Sequence, residues 1–209
     1  MRLVYFVCAL VCSSALSFGV DTKTWDQSSM EDFDQGTLQH LSLSSDGRLA
    51  VAPRLSEVFD ASVAVLWSVA RDSKGALYVG GGSLGGSRAK LFSIAQGQGK
   101  LLAELDGIAV QAIAIDRQDR VYAATSPDGK VYRVDSSGKA DVFYDPKTKY
   151  IWALAFAKNG DLYVATGDRG EIHRVTPAGV GSVFFRTEEA HARSLTVDAA
   201  DNVIVGTEP

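Results

Sequence analysis

Four side chains that could contact a ligand recur at nearly constant intervals along the chain. Trp67, Gln111, Trp152 and Arg193 are spaced 44, 41 and 41 residues apart. Indole rings offer flat apolar surfaces, an amide both donates and accepts hydrogen bonds, and a guanidinium binds anionic groups. If the fold brings these positions together, they form a ring that suits a sugar or an anionic ligand. The alternative for the two tryptophans is apolar packing between repeats.

Two more polar residues belong to the same neighbourhood of the repeat. His191 lies two residues before Arg193, and it could act as a general base only if an acid such as Glu188 or Glu189 held it by a hydrogen bond. Asp168 stands just before Arg169-Gly170 and is a further candidate for ligand binding. Asp128, before Gly129, is more typical of a turn residue.

An internal repeat of about 41 residues positions these side chains. Its clearest mark is a short apolar segment that occurs four times, at 77–80, 121–124, 162–165 and 203–206. Other apolar segments precede and follow it, and Gly, Asp or Asn stands in the connections. Short segments rich in β-branched and aromatic residues between such turns predict antiparallel strands, here A to D in each repeat.

The strands of this repeat are apolar on both faces, as at 113–115 and 153–157. A sheet with one face in water would alternate apolar and polar residues, so these sheets must be covered on both sides. No segment keeps a 3.6-residue period for three turns without a glycine. The sequence therefore predicts an all-β fold, a β-propeller of four-stranded antiparallel blades stabilised by packing of blade on blade.

The predicted organisation follows from the positions of the repeats. Residues 47–60 are expected to form strands C and D of a first, partial blade, with 37–41 as its strand B, and the glycine-rich 80–87 is expected to be a long B–C loop. The predicted divisions are a signal peptide at 1–17, an N-terminal extension at 18–35 and propeller blades over 36–209. Within the propeller we expect a partial blade at 36–60, three blades at 65–106, 109–146 and 150–187, and a second partial blade at 191–209. About four blades are thus present. The sequence favours an incomplete propeller, while closure of the two partial blades into a four-bladed ring and assembly between chains remain open.

The N-terminus predicts export. Met1-Arg2 supply positive charge, Leu3–Val11 is apolar, and Ala15-Leu16-Ser17 has the small residues of a cleavage site. Removal of this segment would take away both cysteines and leave no membrane span. The expected location is secreted or periplasmic; a single membrane anchor is the alternative. The net charge of −4, with no basic block, argues against a nucleic-acid partner.

The repeat resembles a known group of proteins. Residues 151–167, IWALAFAKNGDLYVATG, followed by GEIHRV at 170–175, resemble the blades of bacterial exported β-propellers of the NHL, YVTN and gluconolactonase-like kind. The marks of WD repeats, Gly-His and Trp-Asp, are missing from the blades. The resemblance implies ligand binding at the mouth of a central channel. Its members include binding scaffolds, calcium- or zinc-dependent lactonases and a lyase that opens a cyclic peptide antibiotic, the virginiamycin B lyase type.

The sequence favours a binding or interaction module without catalytic activity, a scaffold for a protein, a small molecule or a carbohydrate. The alternative is a lactonase- or lyase-type enzyme with its site at the channel mouth, and a quinone-dependent dehydrogenase propeller ranks third. Neither Gly-x-Ser-x-Gly nor His-Glu-x-x-His occurs. No cofactor is predicted. A divalent cation stays open, although the positions that carry metal ligands in lactonases hold Trp and Gln here.

Overall fold

Nearly all regular structure in the described residues is β-strand. The computed structural model describes residues 23–29, 31–32, 36–53, 56–82, 85 and 88–209, so the predicted signal peptide at 1–17 lies outside the described residues. The chain divides into two units, residues 1–56 and 57–209. Within the described residues no helix is long and apolar enough to cross a membrane.

The first unit contains one short hairpin. Strands β1 (Leu41–Leu43) and β2 (Leu49–Val51) pair in antiparallel register, Leu43 opposite Leu49. The turn between them contains Gly47 at a φ of 80°, and the Ser44 carbonyl accepts a hydrogen bond from the Gly47 N–H at 2.9 Å. Strand β2 lies inside the segment expected to be strand C, but its partner begins where the expected strand B ends.

The expected strand D at 58–60 is wrong, because these residues form no strand. They belong to the second unit, where the ring of Phe59 packs against Phe92 with centroids 5.8 Å apart. The same ring covers Gly99, where an added Cβ would come within 2.6 Å of it. A side-chain anchor, and not a ladder of backbone hydrogen bonds, therefore fixes this segment.

The described residues of the second unit form three four-stranded sheets and one two-stranded sheet. Consecutive strands pair in antiparallel fashion within each sheet. Blade 1 contains β3 (Val65–Arg71), β4 (Leu77–Gly82), β5 (Ala89–Ala95) and β6 (Gln98–Leu105), and blade 2 contains β7 (Ala109–Ile115), β8 (Val121–Ser126), β9 (Gly129–Val134) and β10 (Ala140–Thr148). Blade 3 contains β11 (Ile151–Phe156), β12 (Leu162–Thr166), β13 (Glu171–Val175) and β14 (Gly181–Arg186). The last sheet contains β15 (His191–Val197) and β16 (Val203–Glu208). A bridge between Gly82 and Ala109 joins blades 1 and 2 into one curled sheet.

The sheets pack face to face in chain order. The first strands lie side by side, β3 with β7, β7 with β11 and β11 with β15. Three apolar layers fill the spaces between successive sheets: one contains Leu91, Val110 and Val121, the next Tyr122, Ile151 and Leu162. The third, against the last sheet, contains Ile172 and Ala192. This arrangement of small four-stranded sheets, each covered on both faces, is that of propeller blades.

Candidate functional site

The four recurring residues of the sequence occupy one structural position. In each sheet the pairing of the first two strands is interrupted by a β-bulge, and the extra residue is Trp67, Gln111, Trp152 or Arg193. A bulge leaves one residue without a partner across the ladder and re-aims its side chain. Because the first strands of the four sheets lie side by side, the bulges place these four residues at corresponding points at one end of neighbouring strands.

The structure brings three of the predicted site residues into direct contact. The Trp152 Nε1–H donates a hydrogen bond to Nδ1 of His191 at 3.3 Å. The guanidinium carbon of Arg193 lies 3.9 Å from the centroid of the Trp152 ring, within cation–π range. Arg193 Nε also donates to Glu208 Oε2, which holds the guanidinium over the indole. We call Trp152, His191, Arg193 and Tyr150 the bulge cluster.

Tyr150 belongs to this cluster and Gly167 lies beside it, and the sequence analysis predicted neither. The Tyr150 ring stacks on Trp152 with centroids 5.1 Å apart and planes 11° apart. A Cβ on Gly167 would lie 2.7 Å from Trp152 Nε1 and 2.8 Å from His191 Nδ1. Gly167 therefore leaves the space in which the indole and the imidazole meet. The one signal in the sequence was that Tyr150 precedes Trp152 by two residues, the spacing of side chains on one face of a strand.

The hydrogen bond from Trp152 fixes the chemical state of the His191 ring. An indole N–H can only donate, so Nδ1 of His191 must be the acceptor, and the neutral ring then carries its proton on Nε2. Among the described residues no hydrogen bond or ion pair joins His191 to Glu188 or Glu189. The lone pair that a general base would need is occupied, and the expected acid partner is not in place. His191 instead presents an N–H donor.

Trp67 and Gln111 lie outside these contacts. Trp67 is 51% exposed on β3, and Gln111 is half-buried on β7. Within the part of the chain that the structure describes, no hydrogen bond or ring contact connects either residue with the bulge cluster. The four residues of the predicted ring thus occupy corresponding positions in their sheets. Among the described residues, only Trp152 of blade 3 and Arg193 of the last sheet are in contact with each other.

Asp168 lies next to the cluster and braces two loops. Its Oδ2 accepts a hydrogen bond from the Lys149 backbone N–H at 3.2 Å, which ties the loop between β12 and β13 to the residues before β11. Asp128 and Asp168 have φ values of 62° and 66°, as expected for Asp in turns. Both line a charged cavity of about 430 Å³ together with Asp145 and Lys147.

The carboxylates of this cavity do not fit a cation site. The Asp145 carboxylate pairs with Lys147 Nζ at 2.6 Å. Burial alone would raise the pKa of Asp145, but the hydrogen bonds and the charge of Lys147 lower it below the usual range. No group of three or more His, Cys, Asp or Glu side chains among the described residues is arranged to hold a metal ion. We therefore assign no chemical step to a metal.

A second polar group, outside the bulge cluster, is buried between blades 2 and 3. His173 Nε2 lies 3.3 Å from the carboxylate oxygen Glu171 Oε2 and must donate to it, so Nδ1 accepts the hydrogen bond of the Tyr144 hydroxyl at 2.8 Å. Glu171 also forms ion pairs with Arg186 and, at 3.3 Å, with Arg169. The Tyr144 ring covers Gly181, where a Cβ would come 2.5 Å from Cζ. Because these polar groups satisfy one another, the group serves as a structural link between the blades.

Comparisons with known proteins identify the fold of this chain. No protein-family model and no curated protein sequence matches it. Its structure resembles virginiamycin B lyase from Staphylococcus aureus, with a TM-score of 0.56 and 16% identity over 79% of this chain and 55% of the lyase. It also resembles a protein assigned as a gluconolactonase, with a TM-score of 0.53 and 15% identity over 66% of this chain and 54% of that one.

The chain spans little more than half the length of these two structures. Similarity at this level of identity shows the fold alone, and the fold is a β-propeller. The predicted all-β architecture and its resemblance to this group of propellers are thereby confirmed. The described residues form an incomplete propeller, of three blades and a two-stranded sheet.

Proposed function

We propose that this chain is a non-catalytic binding module whose bulge cluster takes an oxygen-rich ligand, an acidic carbohydrate being the best match. The observation that carries the proposal is the contact of Trp152 with both His191 and Arg193. This contact places N–H donors that have no acceptor among the described residues side by side, at His191 Nε2 and at the terminal nitrogens of Arg193. A guanidinium suits a carboxylate, and an imidazole N–H can donate to a hydroxyl or carboxylate oxygen of the same sugar.

The state of His191 supports binding over catalysis. With its lone pair occupied by the Trp152 N–H, the imidazole can donate a hydrogen bond to a ligand but cannot remove a proton from one. A lactonase- or lyase-type reaction would need either converging carboxylates for a cation or a free base at this place. The fold shared with the lyase does not supply that chemistry by itself, because one fold hosts many functions.

Calorimetric titration of the chain with oligosaccharides of galacturonic acid and with their neutral galactose counterparts tests this proposal. We expect binding of the acidic sugars only. Replacing Arg193 by Gln should weaken it by about 10- to 100-fold, the usual worth of a charge-assisted hydrogen bond. Trp152→Ala should abolish it. Trp25→Ala is the matched control, since Trp25 is 82% exposed and belongs to the first unit. Equal binding of neutral sugars, or equal losses in the control, would count against the proposal.

We also propose that the module works outside the cytoplasm, in the periplasm or the medium. The support is the short apolar segment Leu3–Val11 between Met1-Arg2 and the small residues Ala15-Leu16-Ser17. Expression of the whole chain in a bacterium, followed by N-terminal sequencing of the exported fraction, should yield a chain that begins within a few residues of Phe18. Recovery of the chain from the cytoplasm with Met1 intact would contradict this location.

A further inference from the structure

The four turns between the first and second strands of the sheets share one construction. They lie at 72–76, 116–120, 157–161 and 198–202, at the end of the first strands opposite to the bulges. The fourth residue of each turn has a positive φ: 89° at Gly75, 58° at Asp119, 88° at Gly160 and 61° at Asp201. Glycine adopts this conformation freely, and Asp is one of the few other residues that tolerate it.

Where this residue is Asp, its carboxylate binds the turn of the preceding sheet. The Ser73 backbone N–H and hydroxyl donate to Asp119 at 2.9 and 2.7 Å, across the junction of blades 1 and 2. The Lys158 backbone N–H donates to Asp201 at 3.2 Å, across the junction of blade 3 and the last sheet. In both junctions the donor is the second residue of the turn, and a carboxylate from the next sheet accepts from it.

The junction between blades 2 and 3 has the donor without the acceptor. Arg117 is the second residue of its turn, and the corresponding residue of the next turn is Gly160. Among the described residues no group accepts a hydrogen bond from Arg117, either from its backbone N–H or from its guanidinium. A cavity of about 420 Å³ opens here instead, and Arg117, Lys158 and Gly160 are among its lining residues.

The charges around this cavity favour an anion. Arg120 Nε pairs with Asp116 at 2.5 Å, and the other Asp116 oxygen accepts backbone N–H groups of its own turn. Lys158 Nζ donates to the Ala199 carbonyl, and its charge acts on the Asp198 carboxylate of the same turn. Arg117 has no acidic partner among the described residues. The guanidinium of Arg117 is therefore the cation that is available to an anion in this cavity.

We propose that this cavity binds a carboxylate, held by the backbone N–H and the guanidinium of Arg117 in the position that Asp119 and Asp201 fill at the other junctions. Phe156 and Pro177 form an apolar part of the wall, which suits a carboxylate carried on a short hydrocarbon. The carboxylate comes from a small organic acid or from an acidic side chain of a partner. This site is separate from the bulge cluster, and it does not rest on the function proposed above.

The test follows the backbone amide of Arg117 by ¹H–¹⁵N NMR while the whole chain is titrated with sodium succinate, with sodium chloride at equal ionic strength as reference. We expect a saturable downfield shift with succinate alone. Gly160→Asp should supply the missing carboxylate from within the chain, so the Arg117 amide signal should already be shifted before succinate is added. The same variant should bind succinate at least 10-fold more weakly. Gly160→Asn is the matched variant, because Asn also tolerates positive φ but carries no charge, and it should retain more binding than the Asp variant.

A transplanted site gives an independent readout. Asp119→Gly removes the carboxylate from the junction of blades 1 and 2, where the free donor is then Ser73 without a guanidinium, so the Ser73 amide should respond to succinate more weakly than the Arg117 amide does. An Arg117 amide that ignores succinate, or responds equally to chloride, would overturn the proposal. Undiminished binding in a folded Gly160→Asp variant, whose thermal unfolding temperature matches or exceeds that of the parent, would overturn it too.

The same NMR measurement distinguishes the two sources of the carboxylate. The blocked tripeptide acetyl-Gly-Asp-Gly-amide presents an acidic side chain, and its Gly-Asn-Gly counterpart lacks only the charge. Tighter binding of the Asp peptide than of succinate supports a protein partner, whereas the reverse order supports a small organic acid. Equal responses to the Asp and Asn peptides, together with no response to succinate, would contradict a carboxylate site of either kind.

Discussion

At the scale of single residues, Gly167 decides whether the bulge cluster can form. Gly167→Ala would place a Cβ within 2.8 Å of both Trp152 Nε1 and His191 Nδ1, so one of these rings must move and their hydrogen bond must break. We expect a loss of about 1–3 kcal/mol in the free energy of unfolding, the usual cost of overpacking. Denaturant unfolding measures it. In a His191→Ala background the same substitution should cost clearly less, and an unchanged cost would contradict this cause.

His173 is the residue that should make stability depend on pH. Burial lowers the pKa of His173 below its usual 6.5, and the nearby Glu171 only partly offsets this. The unfolded chain therefore binds a proton at a higher pH than the folded chain does, so the free energy of unfolding falls as the pH drops below about 6.5. The pKa of Glu171 is also lowered, since hydrogen bonds from Arg186 and His173 and the charge of Arg169 outweigh its burial. Its contribution is lost at still lower pH.

Replacement of His173 by Gln separates the two contributions. The Gln side chain can keep one hydrogen bond to Tyr144 but has no proton to gain. As the pH is lowered from 7.5 to 5.5, the thermal unfolding temperature should fall in the parent and stay nearly level in His173→Gln. Equal slopes in both proteins would show that another group titrates.

At the scale of the strand pair, small residues opposite the bulges set how closely the sheets approach. Ser68 faces Gly80 and Ser194 faces Gly206, while Ala faces Ala in blades 2 and 3. A Cβ on Gly80 would lie 2.7 Å from the backbone oxygen of Val110 in the next blade, to which the Ser68 hydroxyl also donates at 3.3 Å. A Cβ on Gly206 would meet only the side chain of Ser194.

These contacts predict that replacement of glycine by alanine lowers the free energy of unfolding by different amounts at the corresponding positions 80 and 206. Gly80→Ala should lower the free energy of unfolding by about 2 kcal/mol or more, because backbone must move, whereas Gly206→Ala should cost less than about 1 kcal/mol. Adding Ser68→Ala, which copies the Ala–Ala pairs of blades 2 and 3, should recover part of the Gly80 loss. Denaturant unfolding of the four proteins provides the comparison. Equal costs at Gly80 and Gly206 would contradict packing of blade 2 against Gly80.

The sequence predicted these elements better than their side-chain contacts. The 41-residue spacing located the strands because a repeat makes the same signal several times, and it found the bulge positions as corresponding residues. The sequence wrongly predicted a loop at Gly80–Gly82, which continue β4. Sequence alone cannot distinguish a glycine needed for close approach of two sheets from a glycine needed for a turn. The role of Gly167 and the vacancy at Gly160 depend on neighbours from another sheet and were not predictable.

At the scale of the whole second unit, apolar surface is exposed on both terminal sheets. Val69 on β3 is 65% exposed and Ile204 on β16 is 54% exposed, and Phe184 and Phe185 of β14 are more than half exposed beside the last sheet. Apolar patches of this kind mark contact surfaces. We therefore expect the β3 face of one chain to contact the β16 face of another, which is a head-to-tail association. Val69→Lys and Ile204→Lys should therefore each suppress a rise of mass with concentration, as followed by sedimentation velocity. A mass independent of concentration in the parent would contradict this.

We infer that His191 at the bulge cluster is a fixed hydrogen-bond donor and not a free base. Long-range ¹H–¹⁵N correlation of the imidazole at pH 8 tests it most directly. We predict a single neutral Nε2–H form, with the Trp152 indole proton shifted downfield by its hydrogen bond, and loss of that single form in Gly167→Ala. A ring protonated at Nδ1, or an equal mixture of the two neutral forms, would mean that the lone pair is available, and the case for binding without catalysis would fail.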